Sequence, residues 1–98
     1  MNIRIGLAPE VLDDFECILA HLETFQAPEP AARIDGILAA VDLLKSSPLI
    51  GRPLADGKRE LVIGTGAKGY VALYRYIPEI QTVLILAVRG QREAIGSA

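Results

Sequence analysis

The chain of 98 residues has no tryptophan, one cysteine, one histidine and one methionine. With Cys17 as its single cysteine it cannot close an internal disulfide, which suits a reducing compartment; the expected location is the cytoplasm. Cys17 falls on the apolar side of a predicted helix and is expected to pack as a small core hydrophobe rather than to act as a nucleophile. His21, four residues further on, cannot complete a metal site with Cys17 unless other ligands join them. The second half contains no histidine, so no Ser-His-Asp or Cys-His arrangement can be drawn there. No metal and no cofactor are expected. Long apolar runs are also missing: the longest, Val83–Val88, has the length of a strand and falls far short of the roughly 18 residues that span a bilayer. The opening Met1–Gly6 lacks a basic segment followed by an apolar one, so neither a signal peptide nor a membrane association is expected.

What is present suits one globular domain over residues 1–98. The composition is 51% hydrophobic and 22% charged, outside the range of disordered chains. The apolar share is high for so short a chain, either because alanine inflates it or because a partner covers part of the surface. The net charge of −2 conceals an asymmetry. Residues 1–51 hold three basic and eight acidic side chains, and residues 52–98 hold seven basic and four acidic. The positive half suits an acidic partner, although its excess is small beside that of dedicated nucleic-acid binders.

Ile3, Ile5 and Leu7 alternate, so Asn2–Leu7 is predicted to be a short strand. Pro9 opens a helix, where proline is tolerated in the first turn. Val11, Leu12, Phe15, Ile18, Leu19, Leu22 and Phe25 form its apolar stripe, with Asp13, Asp14, Glu16 and Glu23 off it. Ala27-Pro28-Glu29-Pro30 interrupts this helix. A second helix starts near Pro30, carries Ile34, Ile37, Leu38, Val41 and Leu44, and stops at Ser46-Ser47-Pro48. A turn-rich connection, Gly51–Lys58, leads to three strands: Arg59–Ile63, Tyr70–Ile77 and Thr82–Val88. Their short links favour antiparallel pairing. The predicted class is α+β: an N-terminal strand, an antiparallel helical hairpin, then a three-stranded antiparallel meander in one small sheet. The hairpin covers one sheet face, and the other stays open to a partner.

Gly64-Thr65-Gly66-Ala67-Lys68-Gly69 satisfies G-x-G-x-x-G and follows a strand. A dinucleotide site would need a helix next, to hold the pyrophosphate at its N-terminus. Tyr70–Tyr76 is instead rich in β-branched and aromatic residues, so the glycines are read as a hairpin loop. The arginines are the better signal. Arg59, Arg75, Arg89 and Arg92 fall on or just after the strands. Alternation puts Tyr70, Ala72, Tyr74 and Tyr76 on one face and Val71, Leu73, Arg75 and Ile77 on the other. Aromatic rings flanked by guanidinium groups could stack bases and hold phosphates, or grip a peptide carrying carboxylates. The same arginines could equally be solvated strand ends pairing with Glu60, Glu79 and Glu93.

Gly51-Arg52-Pro53, Arg59-Glu60-Leu61-Val62-Ile63-Gly64, Gly69-Tyr70-Val71-Ala72-Leu73-Tyr74-Arg75-Tyr76 and Val83–Glu93 follow one another in an order that resembles the RelE/ParE toxin superfamily of type II toxin–antitoxin modules, also called plasmid stabilisation proteins. The opening Ile3–Pro9 with its acidic helix, and Leu43–Arg52, extend the resemblance over nearly the whole chain. That superfamily houses two activities on one fold. RelE-like members are ribosome-dependent nucleases that cut mRNA; ParE-like members are poisons of DNA gyrase. The nucleases place lysines on the strand here formed by Arg59–Ile63, and an arginine directly after the Gly-Tyr of the next strand. The matching positions hold Glu60, Val62 and Val71, which cannot stabilise charge on a scissile phosphate. Arg92 matches an arginine near the end of the nucleases. Gly90 stands where many ParE-like relatives carry histidine. General acid–base chemistry needs a group that titrates near neutral pH, and arginine does not.

The resemblance therefore implies a ParE-like toxin, not an enzyme, that inhibits DNA gyrase by binding and is neutralised by a cognate antitoxin. The alternatives are a RelE-like ribosome-dependent mRNA endoribonuclease and an inactive family member. The candidate partner-contact residues are Arg59, Tyr74, Arg75, Arg89 and Arg92. Direct nucleic-acid binding is expected only through the antitoxin complex or under the nuclease alternative.

Overall fold

The computed structural model describes residues 2–24, 30–64 and 69–90. Strand β1 is Arg4–Leu7, helix α1 Pro9–Thr24 and helix α2 Pro30–Asp42. Strand β2 is Arg52–Pro53, β3 Lys58–Ile63, β4 Tyr70–Ile77 and β5 Thr82–Gly90. They form one five-stranded sheet in the order β1-β5-β4-β3-β2. Strands β3, β4 and β5 are the expected antiparallel meander. Two features were not anticipated. β1 joins the sheet by lying parallel to β5, a connection that the intervening helices make possible. The connection after Gly51 also contains a strand, β2, paired antiparallel with β3.

The helices lie on one face. Val11 of α1 meets Ile37 and Val41 of α2 and Leu44 just beyond it, over Tyr70, Ala72, Tyr74, Val83, Ile85 and Val88 of the sheet. Burying each of the larger apolar side chains contributes about 1.5–3 kcal/mol, so this cluster is the main source of stability. The predicted stripes are narrower than expected. Leu22 is buried and Phe15 and Ile18 are half-buried, but Leu12 and Leu19 remain exposed, as does Leu38 on α2. Phe25 lies outside the described residues.

Two side chains on α1 exchange the places expected for them. Cys17 is exposed, so it is not a core hydrophobe. Asp14 is buried, although the periodicity puts it off the stripe. The reason lies at the edge of β5. β1 ends at Leu7, opposite Ile85, and the chain turns into α1. Beyond that point no strand among the described residues pairs with β5 on this side. Asp14 Oδ2 accepts the Val88 N–H at 3.0 Å and Oδ1 accepts Arg89 at 2.6 Å. A carboxylate thus stands in for the missing strand.

β5 also carries a bulge. Leu73 faces Ala87 while Tyr74 faces Ile85, which leaves Leu86 as an extra residue. The extra residue resets the alternation: Val83 and Ile85 are core residues, and so is Val88. Between β3 and β4, Gly64 has a φ of 73°, which glycine adopts without steric cost. The residue run after this loop is strand β4, so no helix N-terminus follows the glycines.

Candidate partner-binding surface

The strand registers assign each side chain to a face. On the side away from the helices lie Lys58, Glu60 and Val62 of β3, opposite Arg75, Leu73 and Val71 of β4 in that order. β5 adds Arg89 opposite Val71, Ala87 opposite Leu73, and Leu84 opposite Arg75. β2 adds Arg52 opposite Glu60, and β1 adds Arg4 opposite Thr82. The face has an apolar centre of Val62, Val71, Leu73 and Leu84. Lys58, Arg75, Arg89, Arg52 and Arg4 surround it.

The charges on this face are unevenly matched. Arg52 binds Glu60, and Arg89 binds Asp14 while its own side chain stays 57% exposed. Lys58 and Arg75 stand directly opposite each other on neighbouring strands, an unfavourable arrangement for like charges. Among the described residues neither has a carboxylate within ion-pair distance. Arg75 donates at 2.6 Å to the backbone oxygen of Asp56, in the tight turn where Asp56 has a φ of 63°. That contact orients the guanidinium and supplies no counter-ion for its positive charge.

The aromatic face expected to meet a partner is the core face. Tyr74 is fully buried and Tyr70 nearly so, because the helices cover the side on which Tyr70, Ala72 and Tyr74 point. Tyr74 is therefore a core residue, with its hydroxyl donating to the Pro48 carbonyl and accepting from the Gly51 N–H, both at 2.8 Å. Arg59 lies opposite Tyr74 on the same face. It donates to the carbonyls of Leu49 at 3.1 Å and Gly51 at 2.8 Å. Tyr74 and Arg59 together hold the segment 48–51 against the sheet, a structural use of both. Of the remaining candidates, Arg75 is on the open face, Arg89 starts from that face by its register but its guanidinium reaches Asp14 on α1, and Arg92 lies outside the described residues. Lys58 and Arg4, not singled out from the sequence, belong with them. Their shared face follows from the register of β1 and β3, which side-chain alternation within one strand cannot supply.

Glu60, Val62 and Val71 form one patch. Val62 is directly opposite Val71 and 59% exposed, and Glu60 is two residues along the same face. Among the described residues no group of histidine, cysteine, aspartate and glutamate is arranged to hold a metal ion. Among the described residues no helix is long and apolar enough to cross a membrane.

The profile of the family described as ParE toxin of type II toxin–antitoxin system, parDE, matches residues 5–95. No curated protein matches the chain. Among solved structures, the chromosomal ParDE toxin–antitoxin system of P. aeruginosa contains a chain 20% identical, with a TM-score of 0.75; the match covers 90% of this chain and 95% of that one. A mutant E. coli toxin RelE in the free state is 14% identical with a TM-score of 0.66, covering 99% and 93%. The toxin–antitoxin complex RelBE2 of Mycobacterium tuberculosis contains a chain 25% identical with a TM-score of 0.55, covering 93% and 100%.

Proposed function

The chain belongs to the ParE toxin family of type II toxin–antitoxin systems, and from that premise we propose that it inhibits DNA gyrase by binding, without cleaving RNA, until a cognate antitoxin covers it. The observation that carries this reading is the patch of Val62, Val71 and Glu60. Val62 and Val71 face each other across β3 and β4, and Glu60 is bound by Arg52. Two aliphatic side chains and a neutralised carboxylate offer a phosphodiester neither positive charge nor a proton. Binding is what such a face can do: it is apolar at its centre and cationic at its margin.

The antitoxin is read as an acidic, partly apolar segment on the same face. Among the described residues Lys58, Arg75 and Arg4 have no carboxylate within ion-pair distance there; Lys58 and Arg75 face each other, and an acidic side chain between them relieves their repulsion. The cytoplasm is the compartment in which such a target and partner are met, in keeping with the single cysteine.

The test is a supercoiling assay with purified gyrase, run beside primer extension on translating ribosomes. Dose-dependent loss of supercoiling with no cuts in ribosome-bound mRNA is the expected result. Cuts in the mRNA would restore the nuclease alternative. Folded protein inert in both assays and harmless when expressed alone would mark an inactive family member.

A further inference from the structure

The two edges of the sheet are guarded unequally. β2 closes one edge with two residues, Arg52 and Pro53. Shortness, a charge and a proline without a donor are the devices that keep an edge from pairing. β1 closes the other edge with Arg4, Ile5, Gly6 and Leu7, and carries no proline and a charge only at its first position. The N–H groups of Arg4 and Ala8 go to the carbonyls of Gln81 and Ile85. Alternation along the strand therefore turns the N–H groups of Ile5 and Leu7 outward.

Beside this edge runs a groove of about 270 Å³ between β1 and the end of α2, lined by Ile5, Leu7, Leu38, Val41, Asp42 and Lys45. Leu7 and Leu38 stay 42% and 43% exposed in it. Its two charged residues pair with each other at 2.8 Å, so the groove has no net charge. An acidic segment is drawn to the cationic open face and gains nothing here. The edge suits an apolar strand with branched side chains on alternate positions, and β1 is itself such a strand.

We infer that β1 pairs with β1 of a second copy, antiparallel about a two-fold axis, so that the two five-stranded sheets become one. An axis at Gly6 places Ile5 of each copy against Leu7 of the other, with their outward N–H and C=O groups bonded in pairs. Those side chains lie on the groove side, where they fill each other's grooves beside Leu38. Arg4 then lies opposite Ala8, which keeps the two Arg4 side chains about 13 Å apart along the strands. Asp42 and Lys45 line the same groove, and a patch with one charge of each sign is self-complementary when Asp42 of one copy faces Lys45 of the other. The pairing rests on the edge and the groove alone and is independent of the gyrase reading.

Sedimentation equilibrium of the chain made by cell-free synthesis tests it. The native protein moves, across the micromolar range, from 10.5 kDa toward twice that mass. Leu7→Pro removes an outward donor and leaves the ladder to β5 intact; Leu38→Lys adds a charge to the groove. Each weakens association at least about tenfold, equivalent to 1.4 kcal/mol, with thermal unfolding by circular dichroism confirming that the variant is folded. Leu54→Lys, at the β2 edge and 38% exposed in the native chain, leaves association unchanged. A native protein that stays monomeric throughout overturns the proposal and leaves the edge to an extended segment of another protein. Association insensitive to both Leu7→Pro and Leu38→Lys overturns it as well.

Discussion

The hydroxyl of Tyr74 accepts the backbone N–H of Gly51 at 2.8 Å, and the ring lies so close that Gly51 has no room for a side chain. A Cβ at position 51 would stand 2.6 Å from both Cε1 and the hydroxyl oxygen of Tyr74, and 2.8 Å from the Glu60 carbonyl oxygen. The ring cannot retreat, being fully buried beneath the helices. Glycine is there because of a contact, not because of a turn.

Gly51→Ala is accordingly expected to destabilise the fold by about 1–3 kcal/mol, the usual cost of overpacking a core. Tyr74→Phe keeps the ring but orphans the Gly51 N–H, at about 1–3 kcal/mol. Because both act through one contact, the double variant should lose less than the sum of the two. Urea unfolding of all four proteins measures the coupling. Strict additivity would mean that Tyr74 does not hold the segment 48–51.

Asp14 gives a second stability prediction. Its carboxylate is buried and satisfies the Val88 N–H at the place where β1 has left β5. Asp14→Ala strips that donor of its partner, and a loss of about 1–3 kcal/mol is expected. Arg89→Ala removes a cation that is 57% exposed and leaves Asp14 its hydrogen bond from Val88, so a smaller loss than for Asp14→Ala is expected. Thermal unfolding that ranks Arg89→Ala as the worse of the two would contradict the role given to Asp14.

The same residue shows where the sequence was legible and where it was not. Alternation in Tyr70–Ile77 and the helical spacing of Ile34, Ile37 and Val41 are local patterns, and they placed the elements and much of the core. The side of the sheet that the helices cover is a tertiary fact. Nothing in β4 alone distinguishes a tyrosine face that is core from one that is open, so Tyr74 was assigned to the wrong side. Asp14 looked solvated for a related reason: its partner, Val88, is 74 residues away. β2 is two residues long, too short to carry a pattern. The open face was expected, but Lys58 joins it only through its register opposite Arg75.

Gly36 offers a gain. It lies inside α2, exposed, and a Cβ there meets nothing within 4 Å. Glycine in a helix interior costs about 0.5–1 kcal/mol relative to alanine. Gly36→Ala should therefore raise stability by about that amount and leave the open face unaltered. Denaturant unfolding with an unchanged slope and a higher midpoint is the expected result; a lower midpoint would mean that α2 needs the glycine for a reason beyond helix propensity.

The last prediction concerns Lys58 and Arg75, which stand opposite each other on the open face. Lys58 and Arg75 repel each other in the free protein and attract an acidic side chain in a complex. Lys58→Ala should leave folding unchanged or slightly improved, since it removes a like-charge pair. Arg75→Ala loses a hydrogen bond to the Asp56 carbonyl but also that repulsion, so its net effect on stability should stay small. Antitoxin affinity should fall by about 1–3 kcal/mol for Arg75→Ala if the guanidinium is desolvated on binding, and the fall should shrink as salt rises. Titration of the antitoxin by calorimetry at two ionic strengths, with Arg59→Ala alongside, separates the roles. Arg59 serves the segment 48–51 from the covered face, so Arg59→Ala should cost stability while the surviving folded protein binds normally. Unchanged affinity in Arg75→Ala, with normal folding, would make Arg75 an ordinary solvated strand residue and remove the open face from the antitoxin interface.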